Sequence, residues 1–185
     1  MEEQQVSVEG QTRPLPRPFF VIATQNPHDQ VGTHLLPESQ LDRFLMRIRL
    51  GYPDRAAERS LLRGQDRRGL LQSLPALLDA AAFAQLQAAA QAVQVSDAVL
   101  DYLQDLVNAT RSGRWFAQGL SPRAALAVVR AAKAEAFLQG RDYVAPDDIA
   151  AVLPQTTAHR LVPVRDAGRG AVEQVRAMLD AVPLP

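Results

Sequence analysis

The sequence contains no cysteine, and this absence excludes several kinds of site at once. Disulfides, thiolate-bound metals and thiol nucleophiles are ruled out, and a chain without cysteine is compatible with a reducing cytosol. No apolar run approaches the roughly 18 residues that a transmembrane helix needs. The polar, acidic start at Met1–Gln5 is not typical of a signal peptide. We therefore expect a soluble, cytoplasmic protein with no membrane insertion.

The chain also lacks an excess of charge of either sign. Its 20 basic and 20 acidic residues give a formal net charge of +0, so no global field attracts nucleic acid or an anionic membrane. Aromatic residues make up only 5% of the chain, and they are not interleaved with basic residues as in many nucleic-acid-binding surfaces. We expect no nucleic-acid partner. Only Lys133 is a lysine, and this arginine-rich background makes any single arginine weak evidence for a site.

Two motifs of nucleotide chemistry are missing as well. No Gly-x-x-x-x-Gly-Lys-Ser/Thr sequence is present, so the chain has no phosphate-binding P-loop. No apolar strand ending in paired acidic residues supplies a Walker B ligand for magnesium. The three histidines, His28, His34 and His159, show no metal-ligand spacing and are predicted to be loop or surface residues. No metal site is predicted.

The most informative stretch runs from Phe19 to Asp54. Phe19–Thr24 is an unbroken run of apolar residues, typical of a strand buried on both faces in a parallel sheet. Asn26 and Pro27 end it, and ligands bind at this carboxyl edge in open α/β sheets. A short helix is predicted around Pro37–Phe44, and a second strand at Leu45–Leu50.

The remaining residues predict a hairpin and a series of helices. Val6 and Val8 alternate with polar residues before the turn signal Glu9-Gly10, which predicts a β-hairpin near the start. From Asp54 onward the apolar period changes to about 3.6, typical of helices. Helix starts are predicted at Asp54, Ser96, Ser121 and Pro146, with further helices at Ala76–Ala92 and Ala171–Ala181.

Several motifs along the chain carry a family resemblance. In order, they are ATQNP at 23–27, LPESQLDRF at 36–44, GYPDR at 51–55, GLSPRA at 119–124 and GRDYVAPDDI at 140–149. Together they closely resemble the MoxR family of AAA+ ATPases across nearly the whole chain. The resemblance implies an α+β, mainly α fold. Residues 1–52 would be the end of a truncated P-loop α/β core with a hairpin and strands, and residues 53–185 an all-α lid bundle.

The resemblance assigns Asn26 as sensor 1 and Arg43 as an arginine finger that acts in trans. An amide can hold a water in line with a terminal phosphate, and a guanidinium presents a charged planar fork to phosphate oxygens. The ordinary alternatives are an Asn-Pro turn pair for Asn26 and a surface ion pair of Arg43 with Glu38 or Asp42, worth under ~1 kcal/mol. Glu38 is a further candidate at the same subunit boundary.

Arg123 is singled out by physical chemistry as well as by resemblance. Ser121 is a good N-cap and Pro122 fits the first helical position, so Arg123 falls in the first turn. A cation there is disfavoured by ~0.3–1 kcal/mol unless an anion binds, because the helix end already carries partial positive charge. The motif resembles MoxR sensor 2, which implies contact with nucleotide phosphates. Arg130 and Lys133, farther along this helix, are expected to lie on a solvated face.

The function implied by resemblance belongs to a longer protein. The resemblance implies that such a protein binds ATP and Mg²⁺ between the subunits of a six-membered homo-oligomeric ring and remodels clients in a chaperone-like way. Proteins with von Willebrand factor A domains are candidate partners, and metal insertion or enzyme maturation candidate pathways. Since the P-loop and Walker B motifs are absent, we expect this chain alone to be inactive and to bind no nucleotide tightly. The alternative is a non-enzymatic helical interaction module.

Overall fold

A computed structural model describes residues 5–25, 37–64, 67–164 and 170–184. Within these ranges the protein is mainly helical, with one two-stranded antiparallel sheet, which confirms the predicted α+β, mainly α class. The strands are β1 (Gln5–Val8) and β2 (Gln11–Pro14). The helices are α1 (Glu38–Leu41), α2 (Arg55–Leu62), α3 (Arg67–Ser73), α4 (Ala80–Ala92), α5 (Asp97–Arg111), α6 (Pro122–Leu138), α7 (Pro146–Thr157) and α8 (Ala171–Ala181).

The predicted hairpin forms at the expected turn. β1 and β2 pair in antiparallel register from Gln5 opposite Pro14 to Val8 opposite Gln11. Glu9 and Gly10 connect them, with φ of 52° and 79°. Positive φ at both central residues is the geometry of the two-residue turns that match strand twist. All eight strand residues are exposed, so the hairpin packs no core.

The two predicted strands do not form, which corrects the sequence interpretation. Phe19–Thr24 and Leu45–Leu50 are irregular, and their apolar side chains are exposed, with Ile22 at 78% and Leu50 at 91%. A strand with two apolar faces needs neighbouring strands to pair its backbone and cover its side chains. Within the described ranges the hairpin supplies the only strands, and they pair with each other. The helix expected around Pro37–Phe44 is also shorter and ends at Leu41.

Helices α2 and α4 each begin after an aspartate N-cap and lie at the protein surface. The Asp54 side chain accepts a hydrogen bond from the Ala57 amide at 2.7 Å, and Gly64 follows α2 with φ of 71°. The next predicted helix starts at Ala80 rather than Ala76, because Asp79 supplies its cap. No residue of α2 or α4 is buried.

The core is built by α5 to α8. Every buried residue in the described ranges lies at or after Val93. The Ser96 side chain caps α5, as predicted, and its buried face consists of Val99, Tyr102, Leu103, Leu106, Val107 and Thr110. Helix α6 packs against both α4 and α7, and buries its small residues there. Phe116 is fully buried, and α8 covers this layer through Val175 and Met178.

Helix α7 begins at the predicted Pro146 and runs through a buried Pro154 to Thr157. In this last turn the buried hydroxyls of Thr156 and Thr157 donate to the carbonyls of Val152 and Leu153. The end of the helix is important for the site, because the turn that follows α7 carries His159 and Arg160.

Candidate functional site

The start of α6 is held firmly by the end of α5. Thr110 Oγ1 accepts a hydrogen bond from the Leu120 amide at 3.1 Å, and the Arg111 guanidinium donates to the Leu120 carbonyl at 2.8 and 3.1 Å. Both backbone groups of the residue before the N-cap are therefore fixed. The Ser121 hydroxyl then accepts the Ala124 amide at 3.1 Å, as predicted for an N-cap.

Arg123 lies in the first turn of α6, as predicted, and its side chain is exposed. This first turn contains no acidic residue. The positive end of a helix of 17 residues and a guanidinium therefore lie together at an accessible surface. Such a combination attracts an anion, since the helix end and the side chain act in the same direction.

The segment that carries Arg43 docks directly on this helix start. The Ser121 hydroxyl lies 3.3 and 3.4 Å from the two carboxylate oxygens of Asp42, in position to donate. Asp42 and Ser121 are 79 residues apart in the sequence. The motif LDRF and the motif GLSPRA, recognised separately in the sequence, therefore meet in space through the residues next to their arginines.

Arg160 provides the second attachment of the same segment. Its Nη2 donates to the carbonyl of Asp42 at 3.0 Å and to the carbonyl of Phe44 at 2.7 Å. Its Nε lies 3.3 Å from Asp42 Oδ1 as an ion pair that is not aligned as a hydrogen bond. Only 5% of the Arg160 side chain is exposed. One buried guanidinium thus contacts the backbone on both sides of Arg43.

His159 and the backbone of α7 complete the docking. The His159 Nε2 lies 3.3 Å from the Phe44 carbonyl, and the Arg47 amide donates to the Gln155 carbonyl at 2.9 Å. His159 lies in a turn, as predicted, but it is half-buried rather than a simple surface residue. Residues 42–47 therefore contact α7 and its following turn at several points.

Burial and neighbouring charges shift the pKa values of Arg160 and His159 in this contact. Burial lowers the pKa of Arg160, the nearby Arg123 lowers it further, and Asp42 opposes both effects. Burial is also the main reason that the pKa of His159 lies below 6.5, with Arg160 and Arg47 adding to it. Both shifts disfavour positive charge, chiefly because burial removes the charged form from water. Arg160 and His159 are therefore packed into the contact more as donors to backbone carbonyls than as solvated charges.

The structure describes two of the three predicted site residues. Arg43 follows α1 in a turn; its side chain is exposed and forms no ion pair with any described side chain. The alternative pairing with Asp42 is not seen, because Asp42 is engaged by Ser121 and Arg160. Asn26, His28 and His34 lie outside the described residues, as does the side chain of Glu38.

Sequence reasoning missed Arg160, and it took Asp42 only as an ordinary surface partner. The available signal was the adjacent pair His159-Arg160 in a loop, but the arginine-rich background obscured it. The expectation that Lys133 is simply solvated also needs correction, because its Nζ donates to the Gln91 carbonyl at 2.9 Å and ties α6 to α4. Arg130 is exposed, as predicted.

No group of three or more histidine or acidic side chains in the described ranges could hold a metal ion. In the same part of the chain, no helix combines the length and apolar character required to cross a membrane.

Two protein families match this chain, one at its start and one in the helical bundle. Residues 1–46 match the ATPase family associated with various cellular activities (AAA), and residues 108–180 match the AAA lid domain. The chain is 38% identical over 198 residues to the chaperone MoxR1 of Mycobacterium tuberculosis, covering 100% of this chain and 52% of that protein. The chain belongs to the MoxR family of AAA+ ATPases. It corresponds to the C-terminal part of the MoxR architecture.

Other similar proteins and one solved structure match the chain over its full length. YeaC of Bacillus subtilis is 40% identical over 188 residues, and protein MoxR of Methylorubrum extorquens is 33% identical over 208 residues; each alignment covers 100% of this chain. A crystal structure of a candidate ATPase from Cytophaga hutchinsonii has a TM-score of 0.87 at 33% identity, and this chain covers 59% of it. The chain spans 59% and 60% of the lengths of YeaC and the Methylorubrum protein.

Proposed function

We propose that the protein containing this chain hydrolyses ATP at subunit boundaries and uses the energy for chaperone-like remodelling of client complexes. In this proposal Arg43 is an arginine finger acting in trans, Arg123 is sensor 2, and Asn26 is sensor 1. Membership of the MoxR family supports ATP and Mg²⁺ as the nucleotide and ion, and the chaperone designation of MoxR1 supports the remodelling role.

The observation that carries the proposal is the contact between Asp42 and Ser121. It brings the turn bearing Arg43 to the helix start bearing Arg123, although the two are far apart in the sequence. Both arginine side chains are exposed, and the Asp42 carboxylate contacts Ser121 and Arg160. Guanidinium groups on two segments that are in contact can together bind the phosphates of ATP.

The catalytic contribution expected from Arg43 is large. In phosphoryl-transfer enzymes an arginine finger stabilises the charge on the transferred group and contributes ~10³–10⁵ in rate. This corresponds to roughly 4–7 kcal/mol of the activation barrier. An exposed surface ion pair, in contrast, is worth at most ~1 kcal/mol. The two interpretations of Arg43 therefore differ by an easily measured amount.

The proposal also includes the domain division and the assembly. Residues 1–52 belong to the nucleotide-binding core and residues 53–185 to the lid, with the phosphate-binding loop and the magnesium ligands outside this sequence. A finger acting in trans requires a ring, for which we propose six copies in the cytoplasm. Client enzymes and proteins with von Willebrand factor A domains are the proposed partners.

The test is ATP turnover by the full-length protein with single substitutions. We expect Arg43→Ala and Arg123→Ala to lower kcat by at least about 100-fold, because each removes a charge from the phosphates. Arg130→Ala is the matched control, since Arg130 is exposed on the same helix as Arg123 and should leave turnover within about twofold. Turnover that is equally insensitive to all three substitutions would reject the proposal in favour of an interaction module.

A further inference from the structure

The role of Arg160 is not explained by the lid core. Only 5% of the Arg160 side chain is exposed. Its Nε and Nη1 nevertheless have no aligned hydrogen-bond partner in the described structure. A buried guanidinium with unsatisfied donors is costly, and a core position alone would not favour it. The hydrogen bonds that it does form all go to a single target, the backbone of residues 42–44.

We infer that Arg160 is a positioning residue that holds the turn bearing Arg43 at the angle required for its reach to a neighbouring subunit. The inference rests on the proposed role of Arg43. The two carbonyls that Arg160 Nη2 binds belong to Asp42 and Phe44, the residues immediately before and after Arg43. A single rigid, planar group therefore binds the peptide unit before Arg43, through the Asp42 carbonyl, and the unit that joins Phe44 to Leu45.

Neighbouring contacts also restrain the turn that bears Arg43. Asp42 is bound through its side chain by Ser121 and through its carbonyl by Arg160. His159 contacts the Phe44 carbonyl as well, at 3.3 Å. The Arg43 amide itself is bound only within its own turn, to the Gln40 carbonyl at 3.3 Å. The orientation of the finger is therefore set by the lid, since Arg160 belongs to the turn after α7.

This arrangement gives the lid a direct connection to catalysis at the next subunit. If the turn after α7 shifts, Arg160 moves the backbone on both sides of Arg43 with it. A displacement of about 1 Å at a catalytic group can lower a rate roughly 100-fold, because the reacting geometry is lost. Lid movement in one protomer would thereby switch hydrolysis in its neighbour, with no contact between Arg160 and the nucleotide.

The experiment is a double-mutant cycle in the full-length protein, with kcat and KM for ATP measured separately. We expect Arg160→Lys, which keeps a charge beside Asp42 but loses the planar fork, to lower kcat by about 10- to 100-fold while KM stays within about twofold. In an Arg43→Ala background the same substitution should have no further effect, since the finger it positions is gone. Arg141→Gln is the control, because Arg141 forms its ion pair within the lid, to Asp148, and should be additive with Arg43→Ala.

A second readout needs only the present chain. Amide hydrogen exchange at Phe44 and Arg47 should accelerate in Arg160→Lys and stay unchanged in Arg141→Gln. The inference is overturned if Arg160→Lys is additive with Arg43→Ala, if it couples with Arg123→Ala instead, or if exchange at Phe44 is unaffected. An Arg43→Ala variant with normal turnover would reject the proposed function itself, which is a different outcome from any of these.

Discussion

Replacing Asp42 by alanine should weaken the whole helical bundle, although Asp42 lies outside it. The carboxylate accepts from Ser121 at 3.3 and 3.4 Å and lies 3.3 Å from Arg160 Nε. Its removal leaves the guanidinium of Arg160, 5% exposed, without its compensating charge. The conservative replacement by asparagine keeps an acceptor for Ser121 and removes the charge alone.

The expected magnitude follows from the exposure of the two groups. Breaking a fully buried ion pair costs about 3–5 kcal/mol, whereas an exposed pair is worth at most about 1 kcal/mol. The Asp42 side chain is 26% exposed and its contacts are long, so an intermediate loss applies. We expect the free energy of unfolding to fall by about 1–3 kcal/mol for Asp42→Ala, and by about 1 kcal/mol for Asp42→Asn.

Urea denaturation of this chain can measure the loss through one fluorophore. Trp115 is the single tryptophan, and it is partly buried in the bundle next to Phe116. With a urea dependence of roughly 2–3 kcal/mol per M, the transition midpoint of Asp42→Ala should decrease by roughly 0.3–1.5 M. The matched control is Asp105→Asn, an exposed acid on α5, which should stay within about 0.5 kcal/mol.

A midpoint for Asp42→Ala equal to that of the Asp105 control would refute the reasoning. It would mean that residues 42–47 do not stabilise the bundle, and that the hydrogen bonds from Ser121 and Arg160 contribute no net energy. The proposed connection between the lid and Arg43 would then lose its physical basis.

Three further substitutions test the bundle itself. Phe116→Ala should lower the free energy of unfolding by about 3–5 kcal/mol, because a fully buried ring leaves a cavity, and circular dichroism in urea would measure it. Gly119→Ala should cost about 1–3 kcal/mol in the same assay, since its new Cβ would lie 2.8 Å from Arg111 Cα and force the backbone apart; unchanged stability would contradict this packing. Asp148→Asn should remove a pH dependence. The hydrogen bond from Arg141 lowers the pKa of Asp148 below 3.8, so its contribution is complete above pH 3.8 and is lost as pH falls through the lower folded value. The free energy of unfolding, followed from about pH 5 to about pH 2, should therefore fall less steeply for Asp148→Asn than for the original chain, and equal slopes would argue against the ion pair.

The helical bundle could be predicted from the sequence because its signals are local. Ser96 and Ser121 cap the helices that they were expected to cap, and each accepts the amide three residues on. The apolar period placed the α5 stripe, from Val99 to Val107, on the buried face. A cap or a stripe depends only on residues within a few turns, so one sequence is sufficient.

Two features could not be predicted, for different reasons: the irregular conformation of Phe19–Thr24 and the contact between Arg160 and Asp42. Phe19–Thr24 has the composition of a buried strand, but whether it forms one depends on neighbouring strands that its own residues do not encode. The pairing of Arg160 with Asp42 joins residues 118 apart, and nothing local distinguishes Arg160 among so many arginines. For Arg43 and Arg123 the motifs predicted the type of residue and its role, while only coordinates relate the two in space.

The central claim is that two arginines of this chain bind nucleotide phosphates in an assembled ring. The most direct measurement is a structure of the full-length protein, determined by electron cryomicroscopy with a non-hydrolysable ATP analogue and Mg²⁺. We expect the guanidinium of Arg43 to lie within roughly 2.7–3.2 Å of a phosphate oxygen of the analogue bound to the adjacent subunit, and Arg123 to contact phosphate as well. Arg43 facing solvent in every subunit, with Arg123 paired to a protein carboxylate, would contradict the account.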